Sequence, residues 1–551
     1  MKGGRVFGCT VAAFIGAVLL LAGVLCGLYF TADMKQPGVS LHGIAAYPLV
    51  KGDSLRTYGD NWLRLTAAGL WELHVGGTGF ERGVAAGKLS EDLLYYQEKV
   101  FVDKIREFIP SDSYLKWLRF LLVLFNRKLG DYVPEENREE IYGISLSCTH
   151  DYDAIGTPYQ RQLNYHAAHD IGHAMQDYML VGCSSFGVWG KESADSSLLI
   201  GRNFDFYMGD DFARHKVVSF FRPAEGYRFA SVGWAGMTGV LSGMNEAGLT
   251  VTINAAKSSL PLYAAMPISL LAREILQYAA TIDEAYAIAS RRRTFVAESL
   301  LIGSAADGRA AVIEKSVDRI ALFRPDTERI VCTNHYQSEA FAGDKRNAGN
   351  IATSDSPYRY ERMNELLDAC RPVDAPKAAS VLRNHLGKQG KEIGLANEKA
   401  INQFIAHHSV IFKPESRLMW VSTAPWQSGG YVAYDLNSIF AGQGTDARAV
   451  DSLAIAPDTL LHSPVYQQLL TYRRLSEQVR MSIRNHTVLA DTVIEHLIAS
   501  NPELYNVWLL AGDYCHASGN REKAAWYWEK ALTKEIPKAD ERTAIEKKIK
   551  R

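Results

Sequence analysis

The chain has 551 residues, of which 47% are hydrophobic and 22% charged, with 60 basic and 61 acidic side chains. This is the composition of a globular protein long enough for two or three domains, and its near-zero net charge gives no electrostatic footprint for nucleic acid. The 7 cysteines, at 9, 26, 148, 183, 332, 370 and 515, contain no CxxC pair and no metal-ligand spacing, and an odd number without a pattern excludes a disulfide scaffold.

Lys2 and Arg5 precede an uncharged apolar run over residues 6–30. The run exceeds the roughly 20 residues that span a bilayer and the about 7–15 of a signal-peptide core. No Ala-x-Ala site follows Phe30, and no convincing lipoprotein site precedes Cys26. Residues 1–30 are therefore read as an uncleaved transmembrane anchor rather than a cleaved signal segment. The basic residues put the N-terminus inside and the rest of the chain on the extracytoplasmic side, periplasmic or extracellular.

Residues 33–64, with Pro37, Gly38, Gly43 and Pro48, read as a stalk and lead-in, and residues 71–73 as a short strand. Gly76-Gly77-Thr78-Gly79-Phe80-Glu81-Arg82-Gly83 follows. A glycine-rich loop entering a helix can cradle phosphate, but no Lys-Ser/Thr closes this one, so the phosphate reading is weak. Residues 89–129 read as helical with a break at Pro110. Their stretch 118–125 is dense in Leu and Phe, too short for a second span, and fits a buried helix or a lid over an acyl site. His166, His169 and His173 share a helix face, a spacing that can bind zinc. No carboxylate motif accompanies them and Gly172 weakens the helix, so a polar helix face is the preferred reading.

Cys183 opens an alternating run, with Ser185, Gly187 and Trp189 on one face and Ser184, Phe186 and Val188 on the other. This is strand periodicity. A polar turn over 191–197 leads to a second strand that reaches Arg202 and Asp205. Such a hairpin brings a thiol, a guanidinium and a carboxylate to one sheet end. A positive charge lowers a thiol pKa, so Arg202 suits an activated Cys183, and Asp205 suits an amine partner. The competing reading makes Cys183 a small buried hydrophobe. Further strands are expected over 217–221, 229–232, 240–242 and 249–253, helices over 268–279 and 282–290, and a sheet block over 299–331. A helix containing Pro357 and Arg359 and strands over 409–412, 418–422 and 431–435 follow. From residue 453 the chain reads as polar helices. Trp508, Gly512, Gly519, Ala524, Trp528 and Ala531 fit one tetratricopeptide-like (TPR-like) unit, with 466–498 as a degenerate neighbour. One unit is too few for a free solenoid, so a helical hairpin packed on the preceding domain is expected.

Gly182-Cys183-Ser184-Ser185-Phe186, with Gly201-Arg202-Asn203-Phe204-Asp205, resembles the start of the mature chain in N-terminal-nucleophile (Ntn) hydrolases. The branch is the acyl-coenzyme A:6-aminopenicillanate acyltransferase (isopenicillin N acyltransferase-like) family, related to choloylglycine hydrolases. The resemblance covers roughly residues 71–440. It implies an α+β fold, an αββα sandwich over 183–440, preceded by a stalk and helical pro-segment over 31–182; the helical TPR-like extension over 441–551, read from its own pattern, follows. It also implies self-cleavage between Gly182 and Cys183, after which Cys183 is both nucleophile and amino terminus. Arg202 and Asp205 match the pair that holds and activates the nucleophile. Asn254 matches the oxyanion-hole Asn, Asn334 a second active-site Asn, and Arg359 a downstream Arg, with Arg362 near enough to leave that choice open. No cofactor or metal is implied. The expected activity is hydrolysis of the amide bond of an N-acylated small molecule through an acyl-thioester, or transfer of the acyl group to an amine. A different class, a membrane-tethered binding protein contacting partners through its C-terminal helices, stays open against these. Papain-like chemistry needs a Cys at a helix start and a distant His, and Cys183 opens a strand.

Overall fold

The computed structural model describes residues 47–108, 126–174, 180–258, 265–294, 296–442 and 448–550, with residues 23, 36–40, 120, 123 and 445 besides. Five strands precede or reach Cys183: Leu49–Lys51 (β1), Leu55–Tyr58 (β2), Asn61–Leu65 (β3), Trp71–Gly77 (β4) and Leu180–Val181 (β5). Ser184–Gly190 (β6) and Ser196–Phe204 (β7) form the expected hairpin, and Phe206–Tyr207 (β8) continues from it. Then come Val217–Pro223 (β9), Phe229–Gly233 (β10), Ser242–Asn245 (β11), Leu249–Ala255 (β12), Glu298–Ser304 (β13) and Arg309–Lys315 (β14). Ile320–Phe323 (β15), Arg329–Cys332 (β16), His408–Lys413 (β17), Leu418–Ser422 (β18) and Tyr431–Asp435 (β19) complete the set among the described residues.

These strands build two stacked sheets. The larger has eleven strands in the order β1-β2-β3-β4-β9-β10-β11-β12-β13-β14-β15, and the smaller six in the order β16-β6-β7-β17-β18-β19. Period-2 alternation sends side chains to opposite faces. Thus Phe220 and Leu301 join Ile200, Val410 and Val421 in the core between the sheets. Their neighbours Phe221, Leu300 and Ile302 face outward into a second core with helices Gly79–Leu89, Ile268–Tyr278 and Ile282–Arg291. On the far side Phe186, Val188 and Ile411 of the smaller sheet meet Met363, Leu367 and Leu382 of helices Ser356–Cys370 and Ala375–Leu382. The result is the helix–sheet–sheet–helix stack expected of an αββα sandwich.

Two expectations need correction. Residues 33–64 are not merely a stalk: β1, β2 and β3 lie within them and extend the larger sheet. The segment before Cys183 is therefore not only helical, and its β4 pairs in parallel with β9, seven residues in register. In keeping with the weakness of the phosphate reading, Gly79–Leu89 of the glycine-rich stretch is a helix, capped by Thr78 with Glu81 closing a capping box. Its glycines line the contact with helix Glu135–Ser145. A Cβ on Gly79 would lie 2.3 Å from the Glu136 carbonyl oxygen, and one on Gly83 2.1 Å from that of Glu140. Conversely, a Cβ on Gly143 would lie 2.6 Å from the Val84 nitrogen. The strand expected over 240–242 begins only at Ser242, because Val240 pairs its N–H with the Ser269 carbonyl outside the sheet.

The C-terminal helices Pro464–Asn485, Asp491–Ser500, Tyr505–Ala517, Arg521–Leu532 and Ala539–Ile549 form their own apolar core, which also takes in Leu395, Phe404 and Trp426 of the sandwich. Gly512 of the expected TPR-like unit lets Trp528 pack against the helix backbone, a Cβ there meeting the indole at 2.4 Å. Among the described residues no helix is long and apolar enough to cross a membrane. Residue 23 apart, the expected anchor over 6–30 lies outside the described residues, as does most of 118–125.

Candidate active site

Cys183 sits between β5 and β6, 1% exposed. The β6–β7 register sets Ser185 opposite Arg202, and the β5–β8 pair sets Val181 opposite Phe206. Together these pairings bring Cys183, Arg202 and Asp205 to one end of the hairpin, as the sequence pattern requires. Arg202 Nη2 points at Cys183 Sγ, 3.7 Å away. The rest of its guanidinium is fixed. Nη1 donates to the Leu241 carbonyl at 3.0 Å and to Ser242 Oγ, Nη2 donates to the Ile253 carbonyl, and the group lies over the Phe204 ring at 4.4 Å. A planar fork held this way cannot swing out of the site.

Two effects compete at the sulfur. Burial disfavours the thiolate and Arg202 favours it. Burial is the larger, and the thiol is pushed up to about 11, with the Asp205 carboxylate adding to the rise. In the intact chain Cys183 is a protonated thiol, not the thiolate that Arg202 alone predicts. Asp205 is the second anomaly. It is fully buried, and among the described residues both carboxylate oxygens lack a hydrogen-bond partner. Burial raises its carboxyl to about 7, against the opposing pull of Arg359 and Arg202. Buried carboxylates in native proteins are ordinarily paired, so this site is short of one cationic or donor group.

Arg359 reaches the site and Arg362 does not. Arg359 Nη1 donates to the Cys183 carbonyl and to Ser184 Oγ, both at 2.8 Å, Nη2 donates to Asn334 Oδ1 at 2.7 Å, and Nε to Asp355 at 2.7 Å. Arg362 turns away to Glu365 and Asn384. Asn334 Nδ2 donates to the Ala255 carbonyl at 2.9 Å, tying β12 to the loop after β16. Asn254, at the end of β12, is fully buried. Its Nδ2 donates to the Cys332 carbonyl at 3.1 Å and its Oδ1 accepts from Ser185 Oγ at 3.2 Å. Of the six residues singled out from sequence, Cys183, Arg202, Asp205, Asn254 and Arg359 are buried and Asn334 is partly buried, with Arg202 facing the Cys183 sulfur and Arg359 linking the Cys183 carbonyl to Asn334.

Sequence reasoning missed two groups. Gln403, 2% exposed, donates from Nε2 to the Gly182 carbonyl at 3.3 Å. Gly182 does not have a positive φ, and what its missing side chain supplies is space, since a Cβ there would lie 2.6 Å from Gln403 Nε2. The second group is the adjacent pair His407 and His408 behind Arg202. His408 Nε2 meets Ser242 Oγ at 2.8 Å, and the two Nδ1 atoms are 3.0 Å apart. Burial holds His407 down to about 3, with Lys216 and Arg202 adding to the fall, so it is neutral. Neither group carries a sequence signal: they lie more than 200 residues beyond Cys183 in a segment with no motif. His166 of the helix-face triplet is a core residue. Its Nδ1 contacts the Gln162 carbonyl at 2.8 Å, and Nε2 accepts from the Thr238 backbone N–H at 3.0 Å. The side chains of His169 and His173 lie outside the described residues.

The model of the acyl-coenzyme A:6-aminopenicillanic acid acyl-transferase family matches residues 191–424. The match contains Arg202, Asp205, Asn254, Asn334 and Arg359 and begins after Cys183. An uncharacterized protein of Archaeoglobus fulgidus is 26% identical over 357 residues, 57% of this chain and 58% of that protein. Protein dcd1B of Dictyostelium discoideum is 26% identical over 275 residues, 46% of this chain and 52% of that protein. The chain thus spans just over half the length of the curated relatives it matches. Among solved structures it is similar to a Caenorhabditis elegans N-acylethanolamine-hydrolyzing acid amidase ortholog, at 18% identity and a TM-score of 0.30, over 42% of this chain and 93% of that one. Penicillin V acylase from Agrobacterium tumefaciens gives 16% and 0.33, over 47% and 87%. The family resemblance is borne out over residues 191–424, which hold the Arg202 motif, while the Cys183 motif lies outside the match.

Proposed function

We propose that the chain cuts itself between Gly182 and Cys183 and then hydrolyses the amide bond of an N-acylated small molecule through an acyl-thioester on Cys183. One observation carries this reading: the Asp205 carboxylate, buried and unpartnered beside a thiol that Arg202 already faces. Cleavage creates an α-amine on Cys183, the group this carboxylate lacks. An α-amine titrates near 8, so it can take the thiol proton and return it to the leaving amine. The thiolate attacks the substrate carbonyl, Asn254 stabilises the developing oxyanion, and water resolves the thioester. An amine in place of water makes the same enzyme an acyltransferase. Phe206, the residue after Asp205, lines a small pocket with Leu94, Phe101, Phe212 and Trp234 and with the polar Gln97, Glu98 and Gln162. The test is a panel of N-acyl amides offered to wild type and Cys183→Ala with amine release as readout. Release by both proteins alike contradicts the reading, and acyl transfer to added amine identifies the transferase.

Residues 6–30 are proposed as an anchor that holds the enzyme on the extracytoplasmic face, on the strength of their length and of Lys2 and Arg5. Washing membranes with alkaline carbonate leaves an anchored chain in the pellet. Quantitative release of a chain that starts after residue 30 shows a cleaved signal peptide instead.

A further inference from the structure

The bond that the self-cleavage reading breaks is the Gly182–Cys183 peptide, and the oxygen that becomes an oxyanion is that of Gly182. Asn254, the oxyanion donor implied by resemblance, gives its amide to the Cys332 carbonyl in the intact chain. The side chain that reaches the Gly182 oxygen is Gln403, through Nε2 at 3.3 Å. Gly182 has no Cβ to keep it away. We propose that Gln403 is the oxyanion donor of the self-cleavage step, and that the C-terminal helices hold it in place through Arg473. This rests on the self-cleavage reading above.

The step balances without an outside reactant other than water. Cys183 Sγ bonds to the Gly182 carbonyl carbon, and the negative charge passes to the oxygen that Gln403 faces. The carbon–nitrogen bond then breaks, and the proton lost by the thiol ends on the departing nitrogen, which becomes the Cys183 α-amine. Water adds to the thioester, the carbon–sulfur bond breaks, and the products are a Gly182 carboxylate and a restored thiol. A preorganised donor on such an oxygen is commonly worth about 10²–10³ in rate.

Gln403 is held from both sides. On the sandwich side Asn203 Nδ2 donates to the Ile401 carbonyl at 3.1 Å, and the Asn402 N–H to the Asn384 carbonyl at 2.8 Å. On the other side Phe404 has φ 55°, a left-handed conformation that a bulky residue keeps only when its surroundings impose it. Its carbonyl accepts a hydrogen bond from Arg473 Nη2, in helix Pro464–Asn485. Arg473 is itself fixed, with Nη1 2.7 Å from Asp210 and the guanidinium 4.2 Å above the Trp426 ring. Farther along the same loop, Asn501 and the Leu395 backbone exchange hydrogen bonds of 2.9 and 2.8 Å. The C-terminal helices are thus fastened to the loop that presents Gln403 to the scissile carbonyl.

The test follows cleavage over time after cell-free synthesis of the full chain, by mass spectrometry of the 182–183 bond. Gln403→Ala is expected to slow cleavage by about 10²–10³-fold. Gln403→Glu keeps the shape but donates only when protonated, so its rate relative to wild type should rise as pH falls, which a folding defect does not produce. Arg473→Ala should slow cleavage less, and the double variant should be no slower than Gln403→Ala alone, because Arg473 acts through Gln403. Wild-type rates in Gln403→Ala, or a Gln403→Glu ratio that does not change with pH, overturn the proposal. Additive losses in the double variant overturn the role of Arg473. A wild type that never cleaves, indistinguishable from Cys183→Ala, overturns the underlying reading instead.

Discussion

At Cys183 and Asp205 the charges that a hairpin brings together are reshaped by burial. Arg202 is in place to favour a thiolate, yet the enclosed sulfur titrates at about 11. The same enclosure lifts Asp205 from 3.8 to about 7. The folded chain therefore binds that proton more tightly than the unfolded chain does. Its stabilising contribution is complete below about pH 4 and is lost as pH rises through about 7. In an uncut Cys183→Ala background, Asp205→Asn should flatten this loss. The Asn variant should gain on its parent in thermal melts between pH 4 and pH 8, and parallel curves would remove Asp205 from the account. For turnover, Asn254→Ala should keep the fold and lower kcat by about 10²–10³. Near-normal turnover on the true substrate would exclude that side chain from the oxyanion hole. Cys183, Arg202, Asp205, Asn254 and Asn334 could be singled out because they sit in short patterns, whereas the choice between Arg359 and Arg362 waited for the structure. Gln403 could not be, because its neighbours in sequence say nothing of the Gly182 carbonyl that it meets across the fold.

Among the elements, helix Gly79–Leu89 is where local preference and packing disagree most. Glycine is the poorest helix former after proline, so three glycines in a row of four-residue steps read as a loop. What they gain is contact between helix backbones. Gly79 and Gly83 lie against the Glu136 and Glu140 carbonyls, and between the helices buried Arg82 donates to Glu140 at 2.7 Å. Gly83→Val should force the two helices apart, since the obstacle is backbone and cannot turn aside. A loss of about 1–3 kcal/mol is the usual cost of such overpacking. Denaturant unfolding of the variant in the Cys183→Ala background measures it, and an unchanged midpoint would contradict the packing account. The strands were easier to read. β6 carries the alternation of Ser185, Gly187 and Trp189 with Ser184, Phe186 and Val188, whereas β7 is buried over its last seven residues and β12 over all seven, with apolar and small polar side chains on its two faces. Periodicity located these strands but not the sheet each joins, because both faces of both sheets are covered.

For the whole molecule, the surprise is how much of the sandwich lies before Cys183. β4 is inserted between β3 and β9, so the segment that ends at Gly182 supplies four strands of the larger sheet. From sequence this region reads as a stalk, a short strand over 71–73 and helices, since the pairing of residues 71–77 with 217–223 leaves no local trace. Cleavage at Gly182 therefore cannot release the N-terminal fragment without tearing the sheet. The C-terminal helices, expected as a hairpin packed on the domain, do dock there, and on the loop that carries Gln403. The most direct measurement is mass spectrometry of the purified wild type under native and denaturing conditions. The account predicts a single native mass that separates on denaturation into a fragment ending at Gly182 and one beginning at Cys183, with Cys183→Ala remaining one chain. A fully active protein with the 182–183 bond intact would contradict it.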